Sequence, residues 1–191
     1  MERIKAWTRQ RKEVLEDLEK TGVYRVTEDH IREKNGAISD YYLDLYRWYA
    51  EGAARLVPRP DGALYPIWLF LDDQSKLPPL EGTAVFTLSI PRDLVVVTDV
   101  ERWGYRVNYM YIPLDEDDAR RHDEELKRYG IGNETALIQT DKGNFYPLLK
   151  RKIIASWPRV FEKPAQGFTV AQGTVWEIRK EWVEEVVTDE G

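Results

Sequence analysis

The chain has 191 residues, of which 42% are hydrophobic, 32% charged and 12% aromatic, and its 28 Lys plus Arg against 34 Asp plus Glu give a formal charge of −6. This is the balance of one globular domain with a sizeable core, and it excludes fibrous, collagen-like and disordered chains. The absence of cysteine and the presence of only two histidines remove thiol nucleophiles, thiolate metal sites and redox switches, while the acidic total excludes a protein that coats nucleic acid over its whole surface and leaves room for a local basic patch. Met1 to Gln10 is charged, and no later stretch reaches the ~18 apolar residues of a membrane span, so a cytoplasmic protein with no membrane contact is expected.

Ile4 to Thr8 reads as a strand, and Val14, Leu15 and Leu18 follow at helical spacing until Thr21 and Gly22 end the helix. Val23 to Val26 is extended. A polar connection containing Asn35 and Gly36 leads to Ser39, the N-cap of a helix whose stripe is Tyr42, Leu45, Tyr46, Tyr49, Ala53 and Leu56. Pro58, Pro60 and Gly62 stop it, and Tyr65 to Leu71 has strand length and aromatic content. After the loop with Pro78, Pro79 and Gly82, Thr83 to Ile90 alternates and turns at Pro91, Arg92 and Asp93 into Leu94 to Thr98, which predicts a strand pair.

Asp115 to Tyr129 is helical, with four acidic residues in its first four positions to suit the positive end of the helix dipole and a stripe of Ala119, His122, Leu126 and Tyr129. Gly130, Gly132 and Asn133 stop it, and a short Thr135 to Thr140 segment follows. Pro147 opens a helix over Leu148 to Trp157, closed by Pro158. Phe168 to Ile178 is extended, and Val183 to Val187 is a last strand. Strands and helices mix without a regular βαβ repeat, so a single α+β domain over residues 1–191 is expected, with a mixed or antiparallel central sheet and flanking helices.

No glycine-rich phosphate loop, nucleophile elbow or paired-histidine motif is present. His122 reads as a packed, satisfied histidine on an apolar stripe, and His30 as solvated beside Glu28 and Asp29. Asp72 and Asp73 close one strand and Asp99 and Glu101 another, where carboxylates commonly start turns; a divalent cation is the competing reading. The one basic, aromatic island runs from Lys142 to Lys163. There Lys150 and Arg151 project away from Leu149 and Ile153, beside Phe145, Tyr146, Trp157 and Phe161, and Lys150, Arg151 and Lys152 are the candidate phosphate contacts. Cations next to rings suit a phosphate-bearing ligand or nucleic acid, and a solvated helix face predicts the same pattern.

Five segments in order, Ala6-Trp7-Thr8-Arg9-Gln10, Tyr65-Pro66-Ile67-Trp68, Ser89-Ile90-Pro91 with Val97-Thr98-Asp99, Ser156-Trp157-Pro158-Arg159-Val160-Phe161 and Val175-Trp176-Glu177-Ile178, resemble an uncharacterised bacterial family, domain of unknown function 3841. More distantly, the opening strand, helix, Gly22 and strand are similar to the start of ADP-ribosyltransferase-like folds. In DNA-modifying members a first-strand His-x-Thr holds NAD and a late Gln-Ala-Glu supplies the catalytic glutamate; the corresponding stretches here are Ala6-Trp7-Thr8 and Gln172-Gly173-Thr174. The resemblance thus implies a cleft for NAD, a nucleotide or a nucleic-acid end without the usual catalytic pair. Trp7, Thr8, Gln10, Gln172 and Thr174 would form its polar and aromatic wall, with Trp7 stacking a ring and Gln172 reading an amide.

Glu177 is the candidate catalytic carboxylate of a divergent ADP-ribosyl transferring enzyme. Alternation from Val170 puts it on the face opposite Thr174, beside Arg179, where a charge pair with Arg179 is the competing role. Gln10, Asp72 and Asp99 are the other candidates for such chemistry. A third reading is a partner-binding module, in which the abundant aromatics and the acidic Glu181 to Glu190 end face a protein.

Overall fold

The computed structural model describes residues 2–164 and 166–189. Two compact units are distinguished, Met1–Val97 together with Ala171–Gly191, and Thr98–Val170.

The first unit is built on a sheet in the order β5-β6-β3-β1-β4-β8, from β1 (Arg3–Arg11), β3 (Ile67–Phe70), β4 (Thr83–Pro91), β5 (Val96–Asp99), β6 (Ala171–Val175) and β8 (Val183–Thr188). The pairings of β1 with β3 and β4, of β3 with β6 and of β4 with β8 are antiparallel. Residues directly opposite share a face, so register fixes the layers. One face carries Ala6, Leu69, Phe86, Leu88 and Val175, and is closed by Val14 and Leu18 of α1 (Glu13–Thr21). Gly22 ends α1 in a left-handed conformation, φ 75°, with its N–H on the Leu18 carbonyl, as a glycine can at no steric cost. The chain then enters β2 (Val23–Tyr24), which pairs with β7 (Ile178–Arg179) as a separate ribbon. The opposite face is covered in part by α3 (Ser39–Ala53), whose Tyr46 and Tyr49 rings lie 6.0 and 4.7 Å from Trp68.

Two features differ from the sequence reading. The Thr83–Pro91 and Val96–Asp99 strands do not pair with each other. Nine residue pairs with β1 occupy one edge of β4 and β8 takes the other, so β5 is left to the far edge of the sheet beside β6. The polar connection before Ser39 is a helix, α2 (Glu28–Asn35), started by a capping box between Thr27 and His30 and anchored by Ile31 alone. Its one buried residue gives too little periodicity to read.

The second unit is helical apart from the end of β5. It contains α4 (Val100–Val107), α5 (Glu116–Arg128), α6 (Ala136–Gln139) and α7 (Pro147–Ser156). Its buried apolar residues include Ile112, Leu137, Leu149, Ile153 and Val160. Asp115 accepts from the Asp118 N–H to cap α5, consistent with the acidic start read in the sequence. Tyr129, placed on the apolar stripe of that helix by its spacing, is 48% exposed.

Candidate functional site

The sheet divides the residues that the sequence groups into one wall. Trp7 lies opposite Phe70, and Phe70 opposite Gln172, so Trp7, Phe70 and Gln172 form one cross-strand row. Thr174 shares that face, next to Trp68, and its hydroxyl lies 3.1 Å from the Tyr49 hydroxyl. Thr8 and Gln10 alternate with Trp7 and project from the other face, among the core residues. There Gln10 Nε2 donates to Thr8 Oγ1 at 2.8 Å and Thr8 Oγ1 donates to the Trp68 carbonyl at 2.9 Å. The five residues therefore do not line one pocket, because strand register sets a pairing that no single strand's pattern contains.

Trp7 is buried, with the Lys5 and Lys76 ammonium groups 5.9 and 5.8 Å from its ring centre. Gln172 Nε2 is buried without a hydrogen-bond partner. Between Gln172 and Thr174, a Cβ on Gly173 would meet Leu71 Cδ2 at 2.9 Å and Val95 Cγ1 at 3.0 Å. The glycine of that motif is thus a packing requirement of the core face.

Glu177 is buried, and both of its oxygens are engaged. Arg25 donates to Oε2 through Nε at 2.9 Å and Nη2 at 2.7 Å, and Arg179 Nε donates to Oε1 at 2.8 Å. The charge partnership with Arg179 read from the alternation is present, with Arg25 added from a position 152 residues away in sequence. The carboxylates at strand ends serve as caps. Asp72 accepts from the Gln74 N–H, and Asp99 accepts from the N–H groups of Glu101, Arg102 and Thr169. Among the described residues no group of three or more His, Asp or Glu side chains is placed to hold a metal ion.

The acidic end is folded into β8 and its flanks. Asp189 pairs with Lys12 at 2.6 Å, Glu184 lies 4.0 Å from Lys5 and Glu181 3.9 Å from Arg179; Glu190, the last acidic position of that run, lies outside the described residues.

Two arrangements in the second unit stand out. The first is buried. His122 Nε2 lies 2.8 Å from Glu134 Oε2, the same oxygen accepts from the Tyr111 N–H, and the Tyr111 ring stacks on the imidazole at 4.2 Å. The Tyr111 hydroxyl donates to Asp118, which Arg159 also contacts. Burial acts to raise the Asp118 pKa, but hydrogen bonds from the Leu114 N–H and Tyr111, with the Arg159 charge, hold it below the usual carboxylate range. The sequence reading of His122 as a packed, satisfied histidine names no residue that satisfies it. Its partner, Glu134, is reached through the turn at Gly130, where φ is 66°.

The second arrangement is open. Gly143, Asn144, Pro147, Lys150, Arg151 and Ile154 line a hollow of about 380 Å³. Phe145 and Leu148, next in sequence to its lining residues Asn144 and Pro147, are 81% and 72% exposed. The backbone here is tightly set, because a Cβ on Gly143 would fall 1.9 Å from the Leu137 carbonyl oxygen. The Tyr146 N–H donates to the Gly143 carbonyl, and the Tyr146 ring contacts Tyr129 at 5.6 Å. Leu149 and Ile153 are buried, as the helical spacing requires. Of the three cations singled out in sequence, Lys150 and Arg151 line the hollow. Lys152 is drawn away: its ammonium donates to Glu125 at 2.6 Å and lies 5.0 Å from the Tyr111 ring centre.

The fold defines an α+β protein built on a six-stranded antiparallel sheet. The chain belongs to the family described as Domain of unknown function (DUF3841), whose model matches residues 5–184. No curated protein and no solved structure matches the chain. No helix among the described residues is long and apolar enough to cross a membrane.

Proposed function

We propose that the protein binds a phosphate-bearing ligand that also carries a ring, a nucleotide or a nucleic-acid end, in the hollow beside Lys150 and Arg151. The observation that carries this reading is a pair of cations with no carboxylate partner among the described residues, close in sequence to an exposed aromatic ring, in a chain whose net charge is −6. Phosphate oxygens would take the ammonium and guanidinium groups, and a base or nicotinamide would take the Phe145 face.

The row of Trp7, Phe70 and Gln172 keeps two members of the NAD-binding wall together, but Thr8 and Gln10 face the core and Glu177 is held by two arginines. The ADP-ribosyltransferase-like cleft therefore draws less support than the hollow, and NAD enters as one ring-bearing diphosphate among several. Thermal stabilisation by NAD, ADP-ribose, ATP and short oligonucleotides tests the proposal, since a ligand that prefers the native state raises the melting temperature. Stabilisation lost in Lys150→Ala/Arg151→Ala supports it; no shift with any probe at millimolar concentration rejects it.

A protein partner is the second reading, favoured by the exposure of Phe145, Leu148 and Tyr129. Capture of a defined protein that competes with no nucleotide and is lost in Leu148→Glu would select it.

A further inference from the structure

We infer that the occupant of this hollow is single-stranded nucleic acid, bound with little preference for base identity. This rests on the phosphate-binding reading of the same hollow and adds the class of ligand.

Exposed rings distinguish the candidates. A duplex keeps its bases stacked on one another and presents edges and backbone, and a free phosphate has no ring, so neither uses an open aromatic face. A single strand offers the face of each base, and stacking on a protein ring accepts any base. Phe145 is 81% exposed and stacks on no other ring among the described residues, and Leu148, three residues on, is a second apolar group, 72% exposed.

The backbone that carries both residues is set in place before a ligand arrives. The Gly143 backbone is pressed against the Leu137 carbonyl, the Tyr146 N–H is held by Gly143, and the Tyr146 ring rests on Tyr129. A fixed backbone lowers the ordering cost of binding.

The charges extend beyond one phosphate. Lys142, Lys150 and Arg151 have no carboxylate partner among the described residues. The contact between Tyr129 and Tyr146 brings the end of α5, with Lys127 and Arg128 also unpaired, beside the start of α7. A mononucleotide would leave most of these cations unused, whereas a polynucleotide backbone neutralises them in series and releases counterions as it does so. Sequence reading is weak because Asn144 supplies the only side-chain amide in the lining.

The test is fluorescence anisotropy of the full chain with a labelled oligothymidylate of about 12 nucleotides, near the upper site size of single-strand binders. The comparison probes are a duplex of equal length, inorganic polyphosphate and polyglutamate. The single strand is expected to bind at least about tenfold more tightly than the other three. Phe145→Ala, at an exposed position that folding does not depend on, should weaken the single strand about tenfold and leave polyphosphate unchanged. Lys150→Ala/Arg151→Ala should weaken both and lower the salt slope on the single strand by about 1.4. Duplex or polyphosphate binding as tightly as the single strand, or an unaffected Phe145→Ala, overturns the single-strand assignment while phosphate binding stands, and polyglutamate binding as tightly overturns both. No binding of the single strand, duplex or polyphosphate overturns both.

Discussion

The imidazole of His122 is clamped between two groups of different kinds: the Tyr111 ring stacked 4.2 Å away and the Glu134 carboxylate 2.8 Å from Nε2. A carboxylate only accepts, so Nε2 carries the hydrogen, and Nδ1 is buried with no hydrogen-bond partner among the described residues.

Glu134→Ala strips the acceptor from both His122 Nε2 and the Tyr111 N–H in a buried site. The expected loss is about 2–3 kcal/mol, the cost of unsatisfied buried donors. Urea unfolding measures it. A variant as stable as the parent would show that the pair contributes nothing net.

Glu177→Gln removes the charge that holds Arg25 and Arg179 while keeping the shape of the side chain. Both arginines are partly exposed and can return to water, so the expected loss is modest, about 1–2 kcal/mol. Nucleotide binding should be unchanged. Nicotinamide release from NAD by the parent, abolished in this variant, would restore a catalytic role to Glu177.

Gly143→Ala places a methyl group against the Leu137 carbonyl, a backbone atom that has no rotamer to escape into. The expected cost is about 2–3 kcal/mol. The Phe145 platform should shift with it, so ligand binding falls along with the melting temperature. Gly132→Ala is the control, since nothing lies within 4 Å of its Cβ position.

Tyr24 and Tyr46 are both pushed up from 10.0 to about 12, chiefly by burial, which disfavours the phenolate. Between these values the unfolded chain gives up the two protons while the folded chain keeps them. Their contribution is fully present below pH 10 and is lost as pH rises through about 12. Unfolding free energy measured from pH 8 to 12 should decline across that window, and Tyr24→Phe should flatten the decline.

The sequence makes individual elements visible where one face is periodic and apolar. The Tyr46 and Tyr49 stripe announces α3, and the alternation of Ala84, Phe86, Leu88 and Ile90 announces β4. What alternation omits is the partner. Nothing within Thr83–Pro91 says that its neighbours are β1 and β8 rather than the next strand, and nothing within β1 says that Trp7 faces Phe70 while Thr8 faces Phe86. Those facts arise from the register of strands far apart in sequence. The basic island is legible as composition, but which of its cations remain unpaired depends on Glu125 reaching Lys152 across two helices. Which rings of the island stay open is likewise invisible in sequence, where nothing separates the exposed Phe145 from the buried Trp157.

The register shift between Thr87 and Leu88 lies where β8 joins the sheet. A bulge at an edge increases local twist, and Glu184 and Glu185 place like charges along the outermost strand. A second molecule approaching edge to edge would have to match a bent strand and bring its own glutamates against these. Both features oppose further growth of the sheet on that side, and so oppose stacking of chains into fibrils through this edge.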